Sequence, residues 1–330
     1  MKKVVSVVLS VVLLLMAAGC AGVAVPDVPS VKAEVNVGMI QGPTGIGMVN
    51  LMKADEEEKA TNNYTFSVAT SPEEISAKLA NPNGGLDIAA VPTNMAAALY
   101  QKTQGKVKLL AVNTLGVLYM LENGTSVQSV ADLRGKTIYS TGEGANPEYI
   151  LRYVLSKNGI DPDKDVNIEF LTENTELVAK LNKGEATLAM VPEPMVSTVT
   201  AQNKNVRVAF GMNDAWDAVA GENNKLMMGC VAVRSEFLEK NKAAVDAFLA
   251  EYKTSIEKTS DVDATAALCE KYGIIPKAAI AKKAIPNCAL VFVSGKDMKA
   301  QISAYYNVLF DANPKAVGGK LPDDAFYYEG

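Results

Sequence analysis

The residues best placed to do chemistry are hydroxyls, amides, glycines and one acid, gathered at turns that follow short apolar runs. Pro43, Thr44 and Gly45 come after residues 35–40, and Thr93 and Asn94 come after 87–91. Asn113 and Thr114 close the run 107–113, while Thr141, Gly142, Glu143, Gly144 and Asn146 follow 137–140. Glu193 follows 187–191, between Pro192 and Pro194. These types bind a small molecule rather than turn one over. The turns at Thr44-Gly45 and Thr141–Asn146 open into helices, where free N–H groups favour an anionic oxygen. A carboxylate, sulfonate, phosphate or nitrate can be held there without arginine. The same residues also serve as helix caps and turn formers, so each position carries both readings. Glu193 is the most specific, because the fixed φ angles of its two prolines preset its direction. It suits an amine or amidine, with Glu143 as a second acceptor, or else a strut to a cation across a hinge.

Composition removes most catalytic alternatives. There is no histidine, which excludes Ser-His-Asp and Cys-His catalysis, histidine metal sites and histidine pH switches. No nucleophile elbow, phosphate-binding glycine loop or dinucleotide fingerprint is present, and no cofactor or metal is implied. A Ser-Lys or carboxylate enzyme stays open on composition alone. The net charge of −5 comes with no basic stripe, so nucleic acid is not an expected partner. Lys and Arg are missing from the turns, which favours a mostly neutral or zwitterionic ligand over a polyphosphate. Cys230, Cys269 and Cys288 are either buried thiols or, for the last two, a disulfide. Trp216 either stacks on a ligand or packs in the core.

The elements that position these turns are announced by a repeat. Ile88-Ala89-Ala90-Val91-Pro92 is echoed by Leu188-Ala189-Met190-Val191-Pro192, and Ile75-Ser76-Ala77-Lys78-Leu79 by Leu177-Val178-Ala179-Lys180-Leu181. Each copy reads as helix, buried strand and Pro-bearing turn into another helix. Repeated αβ units predict two lobes with parallel sheets, whose facing strand ends make a cleft. The 330 residues suit about two domains at about 150 residues each. Lys2-Lys3, an apolar run over 4–15 and Met16-Ala17-Ala18-Gly19-Cys20 predict an export signal over 1–19, too short for a bilayer span of about 20 residues. The expected layout is a spacer over 20–32, a first lobe from 33–120 with 226–330, and a second lobe over 121–225. The chain would cross between lobes near 119–125 and 223–228.

Ala18-Gly19-Cys20 resembles a bacterial lipoprotein box, with Ala17 where leucine is usual, and implies lipidation at Cys20. Val130-Ala131-Asp132-Leu133-Arg134-Gly135-Lys136-Thr137-Ile138, with the Thr141-Gly142-Glu143-Gly144 turn, Gly184 and Glu193-Pro194, is similar to a signature of the substrate-binding lipoproteins of ABC importers. The group is the one for nitrate, sulfonate, taurine and thiamine precursors. The resemblance implies a type II periplasmic-binding-protein-like α/β fold, with two mostly parallel, helix-flanked sheets and a two-crossover hinge. It also implies a monomer, lipid-anchored outside the cytoplasm, that performs no chemistry and passes a sulfonate/taurine-, nitrate- or aminopyrimidine-like molecule to a permease and its ATPase. A same-fold enzyme and a surface sensor or adhesion module are the alternatives.

Overall fold

The computed structural model describes residues 32–330, except 82, 84, 222 and 223. The expected export signal, Cys20 and nearly all of the spacer lie outside the described residues. None of the described helices is long and apolar enough to cross a membrane.

Strands form where apolar residues alternate between two buried faces. The first sheet contains β1 (Glu34–Ile40), β2 (Asn63–Ala69), β3 (Ile88–Pro92), β4 (Val107–Thr114), β10 (Gly229–Arg234) and β11 (Leu290–Ser294). The second contains β5 (Leu118–Asn123), β6 (Thr137–Thr141), β7 (Asn167–Leu171), β8 (Leu188–Pro192) and β9 (Val206–Gly211). Their orders are β11-β4-β10-β3-β1-β2 and β7-β6-β8-β5-β9. In the first sheet β1 to β4 share one direction, and β10 and β11 oppose them. In the second sheet β5 alone is reversed. The fold is thus the expected two-lobed type II arrangement, with mixed sheets and one reversed strand inserted at a defined place inside each.

That place explains where the chain crosses. The reversed strand inserted in each sheet arrives directly from the other sheet: β4 leads through Leu115–Val117 into β5, and Asn224–Met228 leads into β10. The first crossing is therefore shorter and earlier than 119–125, because Tyr119 to Asn123 already pair with β8 and β9. β10 begins only at Gly229, since Met227 and Met228 are spent in the return crossing. The C-terminal portion, expected to be helical, also contributes β11 at a sheet edge.

Three layers of core hold the sheets. Ile88, Ala90, Val231 and Val233 face the helices of the first lobe, and Leu121, Ala189 and Val191 face those of the second. Between them lies one shared core, to which Ala89, Val91, Leu118, Met120, Leu188 and Met190 all belong. Its aromatic centre joins the lobes. Trp216, on helix Met212–Ala220, sits 4.5 Å from Tyr153 of helix Asn146–Lys157 and 5.6 Å from Tyr305 of helix Gly295–Ala312, centroid to centroid. Trp216 is fully buried, so the packing alternative for this residue is the one realised.

Both crossings are pinned. Asn213 accepts from Gly116 N at 3.0 Å and donates to Gly116 O at 2.8 Å. A Cβ at Gly116 would run into the Asn213 amide and lie 2.5 Å from Leu226 Cδ2. Gly116→Ala is therefore expected to destabilise the protein by about 1–3 kcal/mol through overpacking. Urea denaturation checks this, and an unchanged midpoint would count against a pinned hinge.

Candidate functional site

Parallel strands present their carboxyl ends to the opposite lobe, and the turns after them form the cleft. Of the expected residues, Thr44, Asn113 and Thr114 converge on the first lobe around Gly229, whose Cβ would stand 2.5 Å from Thr44 Cγ2, 2.6 Å from Asn113 Oδ1 and 2.9 Å from Thr114 Cβ. Several are committed to one another. Asn113 Nδ2 donates to Thr44 O and to Tyr252 Oη, and Thr114 Oγ1 donates to Asn113 Oδ1. Thr93 Oγ1 donates to Met227 O at 2.6 Å. Pro43–Ile46 is a single helical turn, so no extended helix dipole stands behind Thr44 and Gly45. Asn94 is half-buried one residue beyond Thr93.

The echoed turns do matching work at the hinge. Thr93 N donates to Met228 O at 3.0 Å and Glu193 N donates to Val117 O at 2.9 Å. The residue after each repeated proline thus ties down one of the two crossings.

On the second lobe, Gly142 and Gly144 have φ of 79° and 70°, a left-handed backbone that glycine adopts most easily. They turn the chain from β6 into helix Asn146–Lys157. Thr141 Oγ1 donates to Asn174 Oδ1 at 2.8 Å, and Glu143 is exposed. Asn146 is different. It is 4% exposed, yet neither its Nδ2 nor its Oδ1 has a protein partner. Among the described residues it is the one buried side chain left with both ends unpaired. It opens the first turn of a 12-residue helix. The same turn carries Tyr149, whose hydroxyl donates to Gly144 O and accepts from Asn313 at the end of the first lobe's last helix. Tyr149 thereby joins the first turn of this helix to the first lobe.

Glu193 is 2% exposed. Its carboxylate accepts from Ser197 N at 3.1 Å, Ser197 Oγ at 3.0 Å and Asn287 Nδ2 at 3.1 Å. Asn287 lies in the other lobe, so the contact crosses the cleft to a neutral amide and not to a cation. Burial pushes the Glu193 carboxyl above its ordinary 4.5, with the bonds from Ser197 and Asn287 pulling it back in part.

The pattern of the NMT1-like family matches residues 29–270, more than half of the chain. The chain belongs to the NMT1-like family. No curated protein matches it in sequence. Its fold is similar to an ABC transporter protein of Parabacteroides distasonis, at 23% identity, covering 90% of this chain and 99% of that one, with a TM-score of 0.75. It is also similar to the periplasmic aliphatic sulphonate binding protein of Escherichia coli, at 17% identity, 90% and 92% coverage and a TM-score of 0.69. For the periplasmic nitrate-binding protein of Synechocystis the values are 15%, 76%, 69% and 0.56. At these identities the likeness is one of fold.

Other polar features of this NMT1-like chain are structural. Cys230, Cys269 and Cys288 are free and buried, and burial lifts all three thiols above their ordinary range. Among the described residues no three of His, Cys, Asp and Glu gather as a metal site. Asn213 and Asn287 sit in no motif and carry no signal along the chain, and Tyr119 falls in an expected connection.

A carboxyl pKa raised on folding means the folded chain holds that proton more tightly than the unfolded one. Its stabilising share is full below the ordinary value of 4.5 and is lost as pH rises through the raised value. The stability of Glu193→Gln relative to wild type is therefore expected to grow as pH climbs through that window. Urea denaturation from about pH 4 to about pH 8 reads the difference, and a flat difference would contradict it.

Proposed function

We propose that this chain is an extracytoplasmic solute receptor that closes two lobes on one small organic molecule and hands it to an ABC permease and its ATPase. It acts as a monomer, tethered through lipid on Cys20, and catalyses no reaction. The closing bodies are those of the expected layout, except that β5, from Leu118 on, moves with the second. Support comes from family membership, the shared fold of ABC-transporter binding proteins, and a cleft that carries hydrogen-bonding groups but no histidine.

The observation that carries the ligand assignment is the Asn146 amide. A carboxamide buried without partners offers a donor and an acceptor side by side, and each unmet group costs about 1–3 kcal/mol. A sulfonate or nitrate supplies acceptors only and would leave Asn146 Oδ1 unpaired. An aminopyrimidine-like edge, with a ring nitrogen beside an amino group, satisfies both ends, as Asn does with adenine. We therefore place an aminopyrimidine-like ligand ahead of a simple sulfonate or nitrate, with its polar edge on Asn146 at the start of helix Asn146–Lys157 and Thr44 and Asn94 opposite.

Asn146→Leu separates stability from binding. Removing an unpaired buried amide is expected to leave the ligand-free protein as stable as wild type or more so, by up to about 3 kcal/mol. The same change should weaken a 4-aminopyrimidine by about 10- to 100-fold. Thermal-shift titration with aminopyrimidines, taurine, an alkanesulfonate and nitrate measures both. Stabilisation by an alkanesulfonate or nitrate that survives Asn146→Leu would reverse the ligand ranking, and turnover of any compound would favour an enzyme. For the anchor, metabolic labelling with a radioactive fatty acid is expected to mark the wild-type chain and to miss Cys20→Ala. Label retained on that variant would refute lipidation at this cysteine.

A further inference from the structure

We propose that Asn287 is the catch of a latch across the cleft, gripped from the second lobe by Glu193 and Tyr119, and that Glu193 serves closure instead of touching ligand. Only a molecule with two closing lobes needs a contact to hold them together, so the latch rests on the receptor function.

Asn287 ends the short turn Ile285–Asn287 just before β11 of the first sheet. Leu115, at the first crossing, donates its N–H to Ala289 O beside it at 3.0 Å. Two groups of the second lobe hold opposite ends of this one residue. Glu193 Oε1 accepts from the Asn287 side chain at 3.1 Å, and Tyr119 Oη donates to the Asn287 carbonyl at 2.7 Å. Tyr119 is on β5 and Glu193 follows β8, which are adjacent strands with Tyr119 opposite Val191. The grip is therefore built on rigid sheet.

Glu193 is itself held in place. Ser197 binds both carboxylate oxygens, through its N–H and its hydroxyl, which aims Oε1 at Asn287. The turn beyond it also meets the first lobe, for a Cβ built on Gly42 would lie 3.8 Å from Pro194 Cδ.

Asn287 is solvent-exposed, so its bond from Tyr119 competes with water, while its bond to the buried Glu193 is partly sheltered; two hydrogen bonds together remain weak beside a packed core. Weakness suits a latch that must reopen. By favouring the closed state with or without ligand, it raises the closed population and tightens apparent binding without contacting the bound molecule. It also accounts for an acid in the echoed turn, where the first copy has Thr93.

The test uses Asn287→Ala combined with Tyr119→Phe in the full chain. Asn287 is exposed and Tyr119 half-buried, and circular dichroism verifies that the double variant folds. Small-angle X-ray scattering without added ligand is expected to give a compact wild type and a variant shifted to a larger radius of gyration. Each single variant should fall between. Wild-type scattering that already fits an open form, or a double variant superimposable on wild type, would overturn the latch. The two ideas fail separately. An expanded variant with no stabilisation by any compound in the thermal-shift panel retains the latch and sinks the receptor assignment. Unchanged scattering with ligand stabilisation intact sinks the latch alone.

Discussion

The constraint on which the rest of the structure depends is the pairing of each reversed strand. A strand entering a sheet must satisfy its backbone donors and acceptors at once, since leaving them buried and unpaired costs as much as a lost hydrogen bond. Here β5 must fit between β8 and β9, and β10 between β3 and β4. From β4 the chain therefore needs only Leu115–Val117 to reach β5, and after helix Met212–Ala220 it returns to β10 along Asn224–Met228. That shortness leaves a hinge of two strands, places the carboxyl ends of the sheets face to face, and lets single residues such as Asn213, Thr93 and Glu193 fasten the crossings.

The cleft is closed by different physics on its two sides. Behind it, Tyr153, Trp216 and Tyr305 join the lobes through apolar packing in a shared core. Beside the first crossing, Asn287 meets Glu193 and Tyr119 through hydrogen bonds, one part-buried and one exposed. Burial of large aromatic side chains is worth far more than two such hydrogen bonds. Motion should accordingly part the hydrogen-bonded side and leave the aromatic side intact, which is hinge bending. Within the cleft, most polar groups already have internal partners. Thr93, Asn113 and Thr114 spend theirs on holding backbone and neighbours, and Asn146 stands apart because its capacity is unspent.

Much of this was legible in the chain because it rests on local physics. Short apolar runs located most strands, and the echo disclosed two like units. Most cleft turns were visible for the same reason, as Thr, Asn and Gly collect where strands give way to helices. What escaped was non-local. Residues 118–123 have a strand's composition, but only their neighbours β8 and β9 settle that they belong to the second sheet. β11 and Asn287 likewise acquire meaning from partners far along the chain.

The repeat itself shows the division most plainly. By itself the sequence determined that Ile88–Pro92 and Leu188–Pro192 are equivalent buried strands followed by equivalent turns, because alternation and proline act on neighbouring residues. Tertiary structure alone decided which face each presents. Ile88 and Ala90 turn toward the first lobe's own helices, whereas Leu188 and Met190 turn into the core shared between lobes. Both faces of each strand are apolar, so alternation carries no label for which layer lies on which side. The same holds for Thr93 and Glu193: the chain presents a hydroxyl and an acid at matched turns, and packing across the cleft determines that one secures a crossing while the other also reaches the opposite lobe.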